Sequence, residues 1–410
     1  LWFVLAAVVV QFSAGNPVNR HLGEYYAMLL LCTLGMGFLV TTENILMAFV
    51  ALELISLSLY ALTAFRKSSL VAAEAAIKYF TFGGLSSAFL LFGLSYLYGA
   101  TGSLHVDALA MAEVTPLLLL ALLFIFVGLG FKVAIVPFHL WAPDVYQCAP
   151  TPVAGWIATG SKIASAFLLI RILHPVTANP DLHQATLSAF SAIAAVSMLI
   201  GNLGALRQTN LKRLLAYSGI ANMGYLLVGA IALSTAGMAS SLFYVVVYAV
   251  ANVGAFGVIG LLSDRMKGDG RLEDFSGSWR RHPGLSFAFL LFLLSSAGIP
   301  PLAGFVGKYY LFYSAFGQIE MSYVLGDLLS GRNGWMIFLV GLALVMSVVS
   351  LYYYVLALKA FLVSEDESPH LDDDEGISPG IKLCVFALAG LVLVLGIYPG
   401  PFMEFLQAGY

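Results

Sequence analysis

Five ionisable residues stand inside apolar stretches of the chain that are long enough to cross a membrane. They are Glu53 in ALELISLSLYAL, Lys78 in EAAIKYF, Lys132 in GLGFKVAIV, Lys162 in GWIATGSKIASAF and Lys308 in GIPPLAGFVGKYYLF. One charged residue at the centre of a spanning helix costs about 2.5–3.5 kcal/mol on insertion scales, so such residues face the protein interior, a partner or water. Amines and carboxylates held in that way can exchange protons. The set therefore indicates a proton path.

Glu53 and Lys78 lie on successive apolar segments, and we expect them to form an ion pair. Two structural readings remain open beside that one. Glu53 could only lock its segment to the next, and Lys78 could only pair with Glu74, which stands one helical turn earlier.

Two of the lysines stand beside prolines that interrupt an apolar stretch. Pro137 follows Lys132 by five residues, and Pro300 and Pro301 precede Lys308. A proline inside a helix removes a backbone hydrogen bond and breaks or kinks the helix, which frees carbonyl groups and makes room for water. We therefore expect Lys132 and Lys308 to be hydrated and able to titrate, rather than to extend to the membrane surface.

Two further polar residues, His139 and Lys212, are candidates for the same path. His139 directly follows the first break, where it serves either as a helix cap or as a water-orienting group. Lys212 and Arg213 begin the apolar stretch LKRLLAYSGIANMGY, where anchoring on the cytoplasmic side is the alternative reading.

The composition predicts an all-α polytopic membrane protein. Hydrophobic residues make up 60% of the chain and charged residues only 10%, against about 25% in soluble proteins. A net charge of -3 offers no basic surface for nucleic acid. Cys32, Cys148 and Cys384 are far apart, and no pair of histidines stands in mid-span, so neither a metal or iron–sulfur site nor a membrane haem is expected. We expect the many phenylalanines and tyrosines to serve in packing, lipid contact and interfacial belts.

Apolar runs and turn residues divide the chain into twelve predicted spanning segments, numbered here one to twelve. Their approximate bounds are residues 1–13, 26–42, 45–65, 71–98, 116–146 (broken), 152–173, 185–206, 211–233, 239–262, 284–316 (broken), 335–361 and 381–405. Because the chain starts at Leu1 within an apolar run, we expect natural sequence before it.

Basic residues assign the loops to the two sides of the membrane. Loops after odd-numbered segments carry Arg20, Arg66, Lys67, Arg207, Arg265, Lys267, Arg271, Arg280 and Arg281. Loops after even-numbered segments carry only Arg332, and Arg171 stands at the end of segment six. The positive-inside rule places the first group in the cytoplasm and therefore the C-terminus outside.

The two broken segments suggest an internal repeat. Residues 26–173 and 185–361 each hold five segments with the break in the fourth, after a remnant at 1–25 and before an acidic loop and last helix at 362–410. An odd number of spans per unit makes the second unit inverted. Paired broken helices in inverted repeats mark transport sites in membrane proteins.

The sequence resembles the antiporter-like membrane subunits of respiratory complex I, the proton-pumping NADH:quinone oxidoreductase. The stretches that carry the likeness are ELISLSLYAL, EAAIKYF, GLGFKVAIVPFHLWAPDVYQCAPTPV, GWIATGSKIASAF, LKRLLAYSGIANMGY, NVGAFGVI and SSAGIPPLAGFVGKYYLF. Lys162 and Lys308 resemble the N type of subunit more than the L and M types. Fourteen spans are usual in this family, which implies two before Leu1.

The resemblance implies roles for the charged residues. It makes Glu53 and Lys78 the partners of a Glu–Lys switch, Lys132 the central proton carrier, Lys162 the connecting lysine and Lys308 the lysine of the second broken helix. Many members have histidine where this chain has Asn222. An amide carries no proton, so a path at that point runs through water that Asn222 orients.

The same resemblance implies a multi-pass subunit of the bacterial inner membrane that moves protons, with neighbouring antiporter-like and small membrane subunits as partners. It implies no cofactor in this subunit, and FMN, iron–sulfur clusters and quinone in others. Two alternatives stay open. One is an Mrp-type sodium/proton antiporter subunit, and the other is a membrane scaffold that transports nothing.

Overall fold

Capping residues set the beginnings of the helices in this computed structural model. Side-chain oxygens of Asn44, Thr115 and Asn210 accept hydrogen bonds from backbone N–H groups in the first turn of the helix that follows. Those N–H groups have no partner within their own helix, so each cap supplies one. Pro116 and Pro180 occupy first-turn positions, where a proline loses no hydrogen bond.

The structure describes residues 2–14, 21–66, 69–232, 234–266, 270–317, 331–362 and 377–408. These residues form sixteen α-helices: α1 (Trp2–Ala14), α2 (Leu22–Thr41), α3 (Ile45–Thr63), α4 (Leu70–Thr101), α5 (Pro116–Val133), α6 (Trp141–Cys148), α7 (Thr151–Ala178), α8 (Pro180–Ala205), α9 (Leu211–Ile231), α10 (Thr235–Met266), α11 (Ser278–Arg281), α12 (Pro283–Ala297), α13 (Ala303–Phe316), α14 (Gly331–Leu362), α15 (Pro379–Ile397) and α16 (Gly400–Ala408).

The predicted order of spanning segments is confirmed. Within the described residues, ten helices are long and apolar enough to cross a membrane. The other two predicted segments correspond to the short helix α1 and to the broken pair α12 and α13. The acidic residues 364–375 and the basic residues Arg20, Lys67 and Lys267 lie outside the described residues.

The last predicted segment, 381–405, is too long. Helix α15 ends at Ile397, and the separate short helix α16 begins at Gly400. The sequence explains the end of the helix, because Pro399 disfavours helical backbone at Tyr398, which adopts φ -130° and ψ 65°.

Three helices form the centre of the bundle. The apolar windows of α7, α9 and α10 are 94% buried, whereas those of the other spanning helices are 33–56% buried. The outer helices expose large apolar side chains such as Phe38, Leu85 and Val348, which suit contact with lipid. Lys162 on α7 and Asn222 on α9 therefore lie on helices that the rest of the chain covers.

The two helix breaks share one backbone geometry. Ala134, which follows the last residue of α5, has φ 60°, and Gly298, which follows the last residue of α12, has φ 87°. The next N–H group bonds back to the carbonyl five residues earlier in each case, Ile135 to Gly130 at 3.0 Å and Ile299 to Leu294 at 3.1 Å.

Cis peptide bonds follow at Val136–Pro137 and at Pro300–Pro301. A second pair of matching features stands at the helix starts, where Asn44 pairs with His105 and Asn210 with Arg271 in isolated antiparallel bridges. The matching bridges and the matching backbone bonds at the two breaks support the two broken-helix units, whose bounds at 26–173 and 185–361 stay a prediction.

Close contact between the two halves of the second break gives a testable prediction about stability. A Cβ atom at Gly304 would lie 1.7 Å from the Ser295 carbonyl oxygen, so Gly304→Ala must push α13 away from α12. Overpacking of this kind costs about 1–3 kcal/mol or more. We expect less of this subunit to remain in the detergent-solubilised complex on warming. Gly84→Ala is the control, because no atom lies within 4 Å of its Cβ position, and equal retention of both variants would contradict the prediction.

Candidate proton path

The first charged cluster joins α3, α4 and α5. Lys132 Nζ lies 3.5 Å from a carboxylate oxygen of Glu53 and donates to the Ser56 hydroxyl at 2.6 Å. Ser87 stands between the two charges: its hydroxyl donates to Glu53 and lies 3.4 Å from Lys132 Nζ. Lys132 is buried and Glu53 is half-buried. A carboxylate, an amine and two hydroxyls thus form one connected group at the end of α5.

The predicted ion pair between Glu53 and Lys78 is wrong. Lys78 Nζ contacts Glu74 at 2.7 Å and Asp144 at 3.3 Å, so the local pairing with Glu74 is confirmed. The reason lies in the rotation of α4 about its axis. Ser87, which faces Glu53, follows Lys78 by nine residues, or two and a half turns, which puts Lys78 on the opposite face and about 13 Å away along the helix.

Lys78 belongs instead to a second charged cluster, where α4, α6 and α9 meet. Asp144 accepts from Lys78 and also from Arg213, whose Nη1 lies 2.5 Å from the other carboxylate oxygen. Next to it, the buried Lys212 donates to the Ala149 carbonyl at 3.0 Å, just beyond the end of α6. Lys212 thus holds α9 against the segment after the first break.

The first break is fixed by backbone and hydroxyl contacts. The Val136 N–H donates to Ser197 Oγ on α8 at 3.0 Å, just before Pro137. The backbone carbonyl of His139 accepts from the Ala142 N–H at 3.0 Å, and the two roles predicted for its side chain stay predictions. The imidazole is buried close to the break.

Lys162 occupies the centre of the bundle. Its side chain is 0% exposed, and its Nζ lies 5.4 Å from the centre of the Tyr146 ring. A π-helical turn, Ile157–Ser161, directly precedes it within α7. Such turns occur often at functional sites, because the widened turn re-aims the residues that follow.

A network of hydroxyl and amide groups surrounds Asn222. The Tyr244 hydroxyl donates to Asn222 Oδ1 at 2.7 Å, Asn222 Nδ2 donates to Ser218 Oγ at 3.2 Å, and Ser218 bonds to the Tyr354 hydroxyl. The amide of Asn222 is therefore held by α9 and α10 in one orientation. Sequence reasoning missed these partners, although Ser218 and Asn222 stand four residues apart on one helix face, as do Tyr244 and Tyr248.

Lys308 lies on α13, beyond the second break. Its Nζ donates to the Ala297 carbonyl and to Ser347 Oγ, both at 3.0 Å, and stands 4.9 Å from the centre of the Tyr225 ring. Tyr225 accepts from Asn202 Nδ2, and Asn202 Oδ1 accepts from Tyr353, both at 3.2 Å. A lateral groove of about 610 Å³, lined largely by aromatic residues of α13 and apolar residues of α14, reaches Lys308 from outside the bundle.

The sequence identifies the family to which this arrangement belongs. Residues 42–331 match the family described as NADH:quinone oxidoreductase/Mrp antiporter, TM. The chain belongs to this family. It is 45% identical to NADH-quinone oxidoreductase subunit N 2 of Acidobacterium capsulatum, with 99% of this chain and 82% of that protein covered. It is 37% identical to subunit N of Anaeromyxobacter sp., with the same two shares covered.

Solved structures agree with the family assignment. A chain of respiratory complex I from Thermus thermophilus, determined with bound aureothin, superposes with a TM-score of 0.79 at 37% identity. The match covers 98% of this chain and 86% of the complex I chain. A chain of the Mrp complex from Dietzia sp. superposes with a TM-score of 0.83 at 22% identity, over 99% of this chain and 81% of its own. The similarity to the Mrp chain shows a shared fold.

Proposed function

We propose that this chain moves protons across a bacterial inner membrane as the N-type membrane subunit of an NADH:quinone oxidoreductase. The observation that carries the proposal is Lys132, buried at a helix break and joined to Glu53 through Ser87, in a chain whose relatives are such subunits. An amine with an adjacent carboxylate can hold a proton, and it releases the proton when the carboxylate moves away.

The proposed cycle starts at the first cluster. Quinone reduction in neighbouring subunits changes the separation of Glu53 and Lys132, which replaces the Glu53–Lys78 switch expected from the sequence. The proton leaves Lys132 through water, passes Lys162 and the Asn222 network, and exits by way of Lys308. Each charge moved against a 100 mV potential costs about 2.3 kcal/mol, which the distant redox reaction supplies.

Two partly exposed charged residues, one in each of the two charged clusters, support a partner subunit beside α3 and α4. Glu53 is 27% exposed and Lys78 is 44% exposed, on outer helices, where a neighbouring membrane subunit can act on both charges. We assign FMN, the iron–sulfur clusters and the quinone to other subunits, and no redox group to this one. This makes the chain a subunit of a proton-translocating reductase.

We also propose that the C-terminus faces outward, away from the cytoplasm. Arg207 and Arg271 lie at the same end of the bundle, because the bridge between Asn210 and Arg271 joins their two loops. A shared basic end supports the cytoplasmic assignment of the loops after segments seven and nine.

Sodium dependence tests this proposal against the Mrp-type alternative. Vesicles that contain the purified complex should take up protons during quinone reduction. We expect the rate of this uptake to be the same when all sodium is replaced by choline. A loss of uptake that returns with added sodium would contradict the proposal. Co-purification of the chain with quinone-reductase subunits is the companion measurement, and a chain isolated with none of them would favour the Mrp-type alternative.

A further inference from the structure

Four buried aromatic rings lie between the two charged clusters of the first broken-helix unit. They belong to Tyr60 on α3, Tyr79 on α4, Phe131 on α5 and Trp141 at the start of α6. Tyr79 stacks on Trp141 with ring centres 4.5 Å apart and 9° between the planes, and the Tyr60 ring meets Tyr79 edge-on at 4.7 Å. The centre of the Phe131 ring lies 5.2 Å from that of Trp141. We call these four rings the aromatic layer.

The spacing of residues along α4 shows where the aromatic layer lies. Tyr79, Gly83 and Ser87 stand four residues apart and share one face of this helix. Ser87 belongs to the first charged cluster, and a Cβ atom at Gly83 would collide with the Tyr60 hydroxyl one turn away. Tyr79, a further turn along, stacks on Trp141, three residues before Asp144 of the second charged cluster. The aromatic layer therefore fills the distance between the two clusters.

The polar groups of the aromatic layer, as far as the described residues show, form no chain along which a proton could pass. The Tyr60 hydroxyl has no hydrogen-bond partner in the described chain. The Trp141 N–H donates to the Phe131 carbonyl at 3.0 Å, and an indole cannot accept a proton in return. Apolar constrictions of this kind exclude water, and a path without water or relay groups does not conduct protons.

The hydrogen bond from Trp141 also fixes the aromatic layer to the helix that carries Lys132. Phe131, whose carbonyl accepts this bond, directly precedes Lys132 in the last turn of α5. On the other side of Phe131 and Trp141, a pocket of about 210 Å³ is lined by apolar side chains of α4, α5 and the break, with Ser86 as its polar exception. Water therefore finds few partners on that side as well.

We propose that the aromatic layer is a barrier that prevents protons from passing directly between Lys132 and the second charged cluster. This inference rests on the proposed function, in which Lys132 releases its proton toward Lys162. Arg213 of the second cluster lies in the first turn of α9, next to the loop of Arg207 that we propose to be cytoplasmic. A proton that crossed the layer would return to the cytoplasm, and the energy of quinone reduction would be lost.

Two substitutions of Tyr79 separate the role of the ring from that of its hydroxyl. Tyr79→Ser removes the ring and leaves a space that water can enter, whereas Tyr79→Phe keeps the ring and removes only the hydroxyl. The measurement is the decay of an imposed pH gradient in vesicles that contain the intact complex, with no quinone reduction and with potassium and valinomycin present to prevent a membrane potential.

We expect the gradient to decay about tenfold faster in the Tyr79→Ser variant, because the rest of the proposed path already leads outward and this factor needs a barrier lower by only about 1.4 kcal/mol. The Tyr79→Phe variant should decay at the wild-type rate, since the ring alone excludes water. Tyr98→Ser is the control, because it makes the same change on α4 at an exposed position.

Decay at the wild-type rate in the Tyr79→Ser variant would overturn the inference. Faster decay in the Tyr79→Phe variant would overturn it too, because the hydroxyl would then matter in place of the ring. Should the serine variant fail to assemble, a density map of the wild-type complex at a resolution that shows water decides between a dry layer, as expected, and a water chain from Ser56 to Asp144, which rejects the barrier. The decay is measured without turnover, so a wild-type complex that moves no protons during quinone reduction contradicts the proposed function separately.

Discussion

Replacing Lys132 with methionine should lower quinone-driven proton uptake by the intact complex about tenfold or more, because the substitution removes the amine that exchanges the proton. Methionine matches lysine in length and is apolar, so it fills the same buried space at the end of α5. The Ser56 and Ser87 hydroxyls lose one hydrogen-bonding partner, but each keeps another, on a backbone carbonyl of its own helix or on Glu53. The complex should therefore still assemble. The measurement is the initial rate of proton uptake at equal subunit content.

Two control variants show whether the proton or only the charge matters. Lys132→Arg keeps a positive charge near Glu53, but a guanidinium does not lose its proton in proteins, so uptake should fall as it does with methionine. Lys359→Met, at an exposed position in the last turn of α14, should leave uptake unchanged. Undiminished uptake by the Lys132→Met complex would remove Lys132 from the path.

The order of the spans and the positions of the breaks could be predicted from the sequence because both follow from local chemistry. Apolar runs of sufficient length have few alternatives to a spanning helix. A proline in the interior of such a run favours a break, as at Pro137 and Pro301, although α7 continues through Pro175. The matching backbone geometry at Ala134 and Gly298 was not visible in advance, because only one of the two residues is glycine.

The choice of ion partners could not be predicted, because it depends on how each helix is rotated against its neighbours. Glu53 and Lys78 are on adjacent helices, yet the face of α4 that meets Glu53 carries Ser87. Lys78 then pairs with Asp144, whose place near α4 depends on the path of the chain after the first break. The order of helices along the sequence predicts which helices are neighbours. Which face of one helix meets the next depends on their packing.

The buried tyrosines were missed for a different reason. Tyrosine is common at membrane interfaces and in packing, so its presence predicts no proton path. Tyr353 and Tyr354 are nonetheless almost fully buried, and both hydroxyls bond to polar side chains on α8 or α9. Together with Asn222 they place hydroxyl and amide groups between the central helices, where the sequence alone indicated only lysines. A path made of weakly acidic and neutral groups needs water to complete it.

Replacing Lys162 with methionine should stabilise the subunit while it slows proton transport. The Lys162 amine is fully buried and makes no hydrogen bond within the described chain, so its removal leaves no protein group unpaired. Exchanging buried charges for apolar residues of similar volume is often neutral or stabilising, by about 1–4 kcal/mol. Proton uptake should nonetheless fall about tenfold or more, because the connecting amine is lost. The stability measurement is the temperature at which the subunit is lost from the detergent-solubilised complex.

Lys308→Met is the matched comparison, because it changes the same side chain at a site with partners. It leaves the buried Ala297 carbonyl without the bond that Lys308 Nζ donates, at a cost of about 1–3 kcal/mol, and it also removes the bond to the half-buried Ser347 hydroxyl. The two variants should therefore shift the loss temperature in opposite directions while both reduce uptake. A lysine kept for stability would instead give a less stable complex when it is replaced. A lower loss temperature for Lys162→Met than for the wild type would therefore show that Lys162 is paired in the working protein, and that its burial serves the fold rather than the proton.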